Sequence, residues 1–242
     1  MTDVASATFA GSTVLLTGVG ADGQVGQVVA RAFAESGASL LLVDRSRDHV
    51  DARVAELTRD GHAADGFACD LTDRSAVESL VAQIRERKGE SIHALVHMAG
   101  GFGMSGPVAE STDDVWNRQI AINLTTAFVT ARAFLPMLRA GRGSIVFFAS
   151  EAVLPGSTGA RTSAYAVAKA GVVTLMRAIA AEERQNAVRA NAVAPATIRT
   201  TTNVREMGAG AKFVEREQVA DVVLYLCSQH ASAISGLVVP VA

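Results

Sequence analysis

The chain has 242 residues, of which 49% are hydrophobic and 19% charged, so one large α/β unit can bury a sizeable core. Its formal net charge is -2, from 22 Lys+Arg against 24 Asp+Glu, and no long run of like charge occurs, which argues against a nucleic-acid surface or a charged tail. The two cysteines, Cys69 and Cys227, are far apart and lack metal-ligand spacing, so the expectation is no metal site, no disulfide framework, a reducing cytoplasmic setting, and thiols acting as small apolar core groups.

Met1 to Ala10 lack the basic start and apolar run of a secretory signal, and no apolar stretch is read as approaching the roughly 20 residues that cross a bilayer. Thr13 to Thr17 form a short apolar run that suits a strand. It leads into Gly18-Val19-Gly20-Ala21-Asp22-Gly23-Gln24-Val25-Gly26, after which Val28, Val29, Ala32 and Phe33 recur at helical spacing until Gly37. Strand, glycine-rich turn and helix is the layout that brings backbone N–H groups and a helix N-terminus against a phosphate, and glycine leaves that approach unblocked. Leu40 to Val43 is the second strand, closed by Asp44, which stands 18 residues after Gly26, where an acidic side chain meets a ribose hydroxyl. A carboxylate there repels a 2′-phosphate and favours NAD over NADP, although Arg45 is placed to grip such a phosphate. Asp44 could instead cap the following helix, a role open equally to Ser46.

Further elements alternate without interruption: a helix over 46–59, a strand over 64–68, a helix over 75–88 with Asp73 as N-cap, and a strand over 92–98 ending in Ala99-Gly100-Gly101. This order predicts a doubly wound parallel sheet with helices on both faces, with ligands at the carboxyl ends of its strands. A helix is expected over 113–133, with Asn123 in its middle either facing solvent or buried with a polar task. A strand over 143–150 brings Ser150 to its carboxyl end, and a Gly/Pro-containing loop over 151–161 follows. The next helix carries Tyr165 and Lys169 at i, i+4, hence on one face, where an ammonium is expected to lower the phenol's pKa and equip it to exchange a proton with an alcohol or carbonyl oxygen. A strand over 188–193 leads to Pro195, residues 197–214 read as a mobile loop or lid, and a helix over 217–227 and a strand over 236–240 complete one domain over 1–242.

With these residues in view, the chain resembles the short-chain dehydrogenase/reductases along nearly all its length. The match rests on Thr17-Gly18 with Gly23 and Gly26, Asp44, Cys69-Asp70-Leu71, Ala99-Gly100, Asn123, Ser150, Tyr165-x-x-x-Lys169 and Asn191-Ala192-Val193-Ala194-Pro195. The resemblance implies a Rossmann-like fold and an NAD-linked enzyme interconverting a secondary alcohol and a ketone. Tyr165 would be the general acid/base, Lys169 would tune it and bond the nicotinamide ribose, and Ser150 would hold the substrate oxygen. Asn123 would hold a proton-relaying water. Gly18, Gly20, Gly23, Val25, Gly26, Asp44, Arg45, Asp70, Leu71, Ala99, Gly100, Pro195, Thr197 and Ile198 would line the dinucleotide, with Asp70 at the adenine. The family's habit of assembling through the helices carrying Asn123 and Tyr165 implies a homotetramer or homodimer, and the partner otherwise is a small carbonyl or alcohol substrate.

The chain departs from the family pattern at several places. Counted from the helix, Gly26 takes the last glycine's place, which implies an insertion in the turn. His97-Met98 replace the usual asparagine pair, leaving His97 as a substitute bonding group or a packed strand-end histidine. The lid is short, which implies an open substrate pocket, and Phe102, Met104 and Trp116 either line an apolar site or pack against the core. The altered turn and short lid also motivate a rival reading, a non-catalytic dinucleotide-binding redox sensor; dehydration or epimerisation is a third.

Overall fold

The computed structural model describes residues 8–242. The reading of the first ten residues therefore lies mostly outside the described residues.

Among the described residues seven short runs become strands, most of them rich in Val, Leu and Ile: β1 (Thr13–Thr17), β2 (Ser39–Asp44), β3 (Ala64–Ala68), β4 (Ala94–His97), β5 (Ser144–Phe148), β6 (Arg189–Pro195) and β7 (Val238–Val241). They pair in parallel, in the order β3-β2-β1-β4-β5-β6-β7. Between them run α1 (Val25–Glu35), α2 (Arg47–Arg59), α3 (Arg74–Lys88), α4 (Asp113–Gln119), α5 (Thr126–Gly141), α6 (Ser163–Glu182), α7 (Thr201–Met207) and α8 (Arg216–Cys227).

Parallel strands buried on both faces are hydrophobic at every position, and each residue serves the face its parity selects. Leu15, Leu41, Leu95 and Ile145 share a register and pack with Ile84 of α3, Phe134 of α5 and Val172 of α6. Their neighbours Val14, Leu16, Leu40, Val96 and Val146 join the opposite core, with Val29 and Phe33 of α1 and Val219 and Val223 of α8. The strand order reverses between β1 and β4, which opens the crevice where ligands of such sheets bind. Asn191, fully buried on β6, donates to the Ile234 carbonyl and accepts from the Leu237 N–H, holding the lead into β7.

Three expectations need correction. The lid contains a helix, α7, capped by Thr200, whose hydroxyl accepts from the Asn203 N–H at 3.1 Å; a seven-residue helix with no buried residue carries no apolar period to read. The helix expected over 113–133 runs to Gly141 and is interrupted by a π-helical stretch, Ile120–Thr125. Third, the helical segments Asp113–Gly141 and Ser163–Asn186 are long and apolar enough, by length and composition, to cross a membrane. Their apolarity has another physical cause here, because Val129, Phe134, Met137, Val172 and Met176 pack against the sheet. Cys69 and Cys227 are free and buried, and burial pushes their pKa up to about 11 and about 12, so both stay protonated.

Candidate active site

The carboxyl ends of β1 to β6 bring the sequence-selected residues to one edge of the sheet. At the head of β1, Gly18, Gly20 and Gly23 all have positive φ, at 73°, 65° and 78°. A Cβ on Gly18 would lie 2.5 Å from the Ala99 nitrogen, and one on Gly26 2.4 Å from the Val19 carbonyl oxygen, so both are sites of close backbone approach. Gly26 lies in the first turn of α1 and lets that turn close on the Val19 backbone of the glycine turn. Gln24, the α1 N-cap, makes no side-chain capping bond, whereas Ser46, Asp73, Thr112 and Thr200 cap α2, α3, α4 and α7. Val25 and Gly26 therefore open α1 with its first N–H groups free for an anion.

Asp44 ends β2. Its Oδ2 accepts from the Gly20 N–H at 2.9 Å and its Oδ1 from the Ser46 N–H at 3.0 Å, so the carboxylate is fixed beside the glycine turn, while Ser46 does the capping. Arg45 is exposed next to it. Asp70, at the end of β3, accepts from both the N–H and the hydroxyl of Thr72, which holds its carboxyl below the usual range and leaves Oδ2 free; Leu71 beside it is buried. Ala99 and Gly100 follow β4. Pro195 closes β6, and Thr197 and Ile198 pair with Val214 across the base of the lid.

Ser150, Tyr165 and Lys169 meet beyond β5. Lys169 is buried and donates to the Phe148 carbonyl at 2.7 Å, and its Nζ lies 5.8 Å from the centre of the Tyr165 ring. Burial pushes its pKa down to about 8. Tyr165 corrects an expectation. Its pKa is raised rather than lowered, chiefly by burial; approach of the Ser150 hydroxyl pulls it down, and the Glu151 carboxylate pushes it up again. The ammonium is committed to a carbonyl and sits over the ring rather than at the phenol oxygen, so desolvation dominates. The Ser150 oxygen itself accepts from the Ala152 N–H at 3.2 Å.

Asn123 is buried inside the π-helical stretch, a feature that often marks functional sites. Its Oδ1 accepts from the Gly101 N–H, and its Nδ2 donates to the carbonyls of Gly101 and Gln119 and to the Gln119 side chain. The Nδ2 donors are thus taken up by protein, the Oδ1 oxygen accepts one bond, and a Cβ on Gly100 would fall 2.5 Å from that oxygen. His97 is both alternatives at once, buried and bonded. The Thr126 hydroxyl donates to the Ile122 carbonyl, so His97 Nε2–H donates to that hydroxyl at 3.3 Å, and Nδ1 accepts from Thr17 at 3.0 Å. The ring ties β1 and β4 to α5, the strand-joining task of the missing asparagine.

Phe102 and Met104 do not enter the core. Phe102 is 66% exposed and its ring stands edge-on to Tyr165, with centroids 5.2 Å apart. Trp116 is also exposed, on α4. Sequence reasoning missed three residues. Thr200 caps the lid helix, and the run of polar residues after it was a legible capping signal. Gln24 reaches the lid, donating to Thr202 Oγ1 at 3.0 Å, and Arg53 is buried beneath the turn; nothing local in the sequence marks either. A cavity of about 540 Å³ opens at the opposite end of the sheet, lined by Arg142, Arg184 and Arg189; Arg189 is spent on the Leu226, Ser228 and Ile234 carbonyls, at and after the end of α8.

The family model described as Enoyl-(Acyl carrier protein) reductase matches residues 18–242. The meso-2,3-butanediol dehydrogenase of Serratia marcescens is 33% identical, over 96% of this chain and 94% of its own length. A relative from Xanthobacter autotrophicus, the inactive 2-(S)-hydroxypropyl-CoM dehydrogenase 2, is also 33% identical, over 87% of this chain and 96% of its own. The structure of a short-chain type dehydrogenase/reductase from Mycobacterium ulcerans superposes with a TM-score of 0.88 at 29% identity, over 96% of this chain and 89% of that one.

Proposed function

Because the chain belongs to the short-chain dehydrogenase/reductase family, and is thereby an oxidoreductase of the alcohol/ketone kind that uses a nicotinamide cofactor, we propose that it is NAD-linked and that Tyr165 moves the proton. The juxtaposition of Ser150, Tyr165 and buried Lys169 beside Gly100 carries this reading. The bound dinucleotide supplies or accepts the hydride.

The residues fit that group. The uncapped α1 N-terminus and the glycine approach at Gly18 suit a pyrophosphate, and the Asp44 carboxylate retains lone pairs for ribose hydroxyls. Its charge disfavours a 2′-phosphate and outweighs Arg45, which is exposed and screened. Ser150, whose hydroxyl approaches Tyr165 and whose oxygen accepts from Ala152, turns its one hydroxyl proton to the substrate oxygen when substrate is bound. Tyr165, kept protonated by burial, gives its proton to that oxygen as charge builds there, and takes one back in the reverse direction. Asn123 works by position: it locks Gly101 beside Gly100, the glycine that also borders the Lys169 ammonium. Phe102 and Met104 give the entrance an apolar face, which suits a small secondary alcohol with an apolar flank. Vicinal diols, acted on by the Serratia relative, are the first class to try.

The rival reading, a redox sensor without turnover, keeps the binding cleft but has no use for the Ser150–Tyr165–Lys169 set. Titration with NADH and NADPH followed by a diol and ketone panel separates the two. Tighter NADH binding together with turnover supports the enzyme; tight binding with no turnover across the panel supports the sensor.

A further inference from the structure

Resting on the dinucleotide reading above, we propose that Asp22 is a positioning residue for the cofactor: anchored on the buried guanidinium of Arg53, it holds the lengthened glycine turn stretched between α2 and the lid helix α7.

Arg53 lies in α2 and is 1% exposed, a full cation withdrawn from water. Among the described residues its Nε has no partner. A buried guanidinium requires anionic neighbours, and here it has two. One, Glu56, comes from its own helix and is shared with Arg31 and Gln27 of α1. The other is Asp22, whose Oδ1 accepts from Arg53 Nη2 at 2.8 Å. The Asp22 side chain is 80% exposed, so no packing of its own keeps it in place. It stands in the stretch between Gly20 and Gly23 that makes this turn longer than the family pattern.

The residues directly after Asp22, Gly23 and Gln24, are tied to the lid. The Gly23 carbonyl accepts from the Thr201 N–H at 3.1 Å, and Gln24 Nε2 donates to Thr202 Oγ1 at 3.0 Å. A Cβ on Gly23 would fall 1.8 Å from Thr201 Oγ1, so the approach depends on glycine. Flanking these two ties are the Gly20 N–H, held by Asp44, and the uncapped start of α1, and at the junction is the Gly23 N–H, held by Gln27 Oε1 at 2.8 Å. The backbone that meets a pyrophosphate is therefore set from both sides, from α2 by a charged pair and from α7 by neutral hydrogen bonds. Removing Asp22 frees the α2 side alone and leaves Tyr165, Lys169 and Ser150 untouched.

The test compares wild type with Asp22→Ala, Asp22→Asn and Asp22→Glu by NADH-fluorescence titration, steady-state kinetics at saturating dinucleotide, and thermal melting. Asp22→Ala is expected to bind NADH about ten-fold more weakly, as loss of one charge-assisted hydrogen bond implies. Asp22→Asn falls between, Asp22→Glu restores binding, and kcat at saturation is unchanged in all three. NADH affinity unaltered in Asp22→Ala, or a loss in kcat equal to the loss in affinity, overturns the proposal. Wild type that binds neither NADH nor NADPH refutes the dinucleotide reading itself, an outcome distinct from the other two.

Discussion

At Tyr165 the surroundings hold the proton on. Burial raises the pKa first, and the exposed Glu151 carboxylate adds to it, while Ser150 works against both. A raised pKa means that the phenol stays an acid at neutral pH: ketone reduction, which spends its proton, should hold there and fall as pH rises through that pKa, and alcohol oxidation should climb over the same range. Glu151→Gln removes a repelling charge, so the alkaline limb of oxidation is expected to move to lower pH; a pH–rate profile unmoved by the substitution would exclude this electrostatic account. His97 is the second titrating group of note. Burial first, and the Lys169 charge second, push its pKa down to about 3 from an ordinary 6.5. The unfolded chain then binds the extra proton below 6.5, so stability is intact above that pH and drains away as pH falls toward 3, at up to about 1.4 kcal/mol per pH unit. His97→Asn is expected to flatten the loss seen between about pH 6.5 and 5, above the range where carboxylates titrate. Urea midpoints measured across that interval check it, and parallel curves for the two proteins would contradict it.

At the scale of elements, two irregularities build the cleft. The π-helical stretch carries Asn123 buried, its amide pinning Gly101 beside Gly100 and Lys169. The glycine turn is the other. Gly18 combines a φ of 73° with a backbone approach to Ala99 that has no room for a methyl group, so Gly18→Ala must move β1 away from the strand end that carries Ala99 and Gly100. We expect that variant to remain folded but lose about 2 kcal/mol or more of stability, and to bind NADH at least ten-fold more weakly. Isothermal calorimetry at wild-type affinity would show that the turn is not a close-contact site.

For the whole molecule, strands and helices that alternate along the chain were legible from the sequence because most strands carry a short apolar run and most helices a clear stop. Gly18, Asp44, Asp70, Gly100, Ser150 and Tyr165 could be placed at strand ends or on the following helix for the same reason. What was not legible depends on contacts across the fold. The Tyr165 pKa follows from its burial, the His97 bridge needs Thr17 and Thr126, and Arg53 finds Asp22 over 31 residues. The exposed faces matter at this scale too: Trp116, Phe128 and Val167 lie on α4, α5 and α6 with much of their apolar surface in water. We expect these helices to be covered by copies of the chain, giving a dimer or tetramer in analytical ultracentrifugation; a monomer at micromolar concentration would contradict that. The account as a whole turns on Tyr165 exchanging the proton in a site that binds a nicotinamide dinucleotide. The most direct measurement is the pre-steady-state rate of NADH oxidation on a reducible ketone in wild type and Tyr165→Phe, with NADH affinity determined for both. Unchanged affinity with a rate reduced by about a hundred-fold or more is the predicted result; equal rates in the two proteins would contradict it.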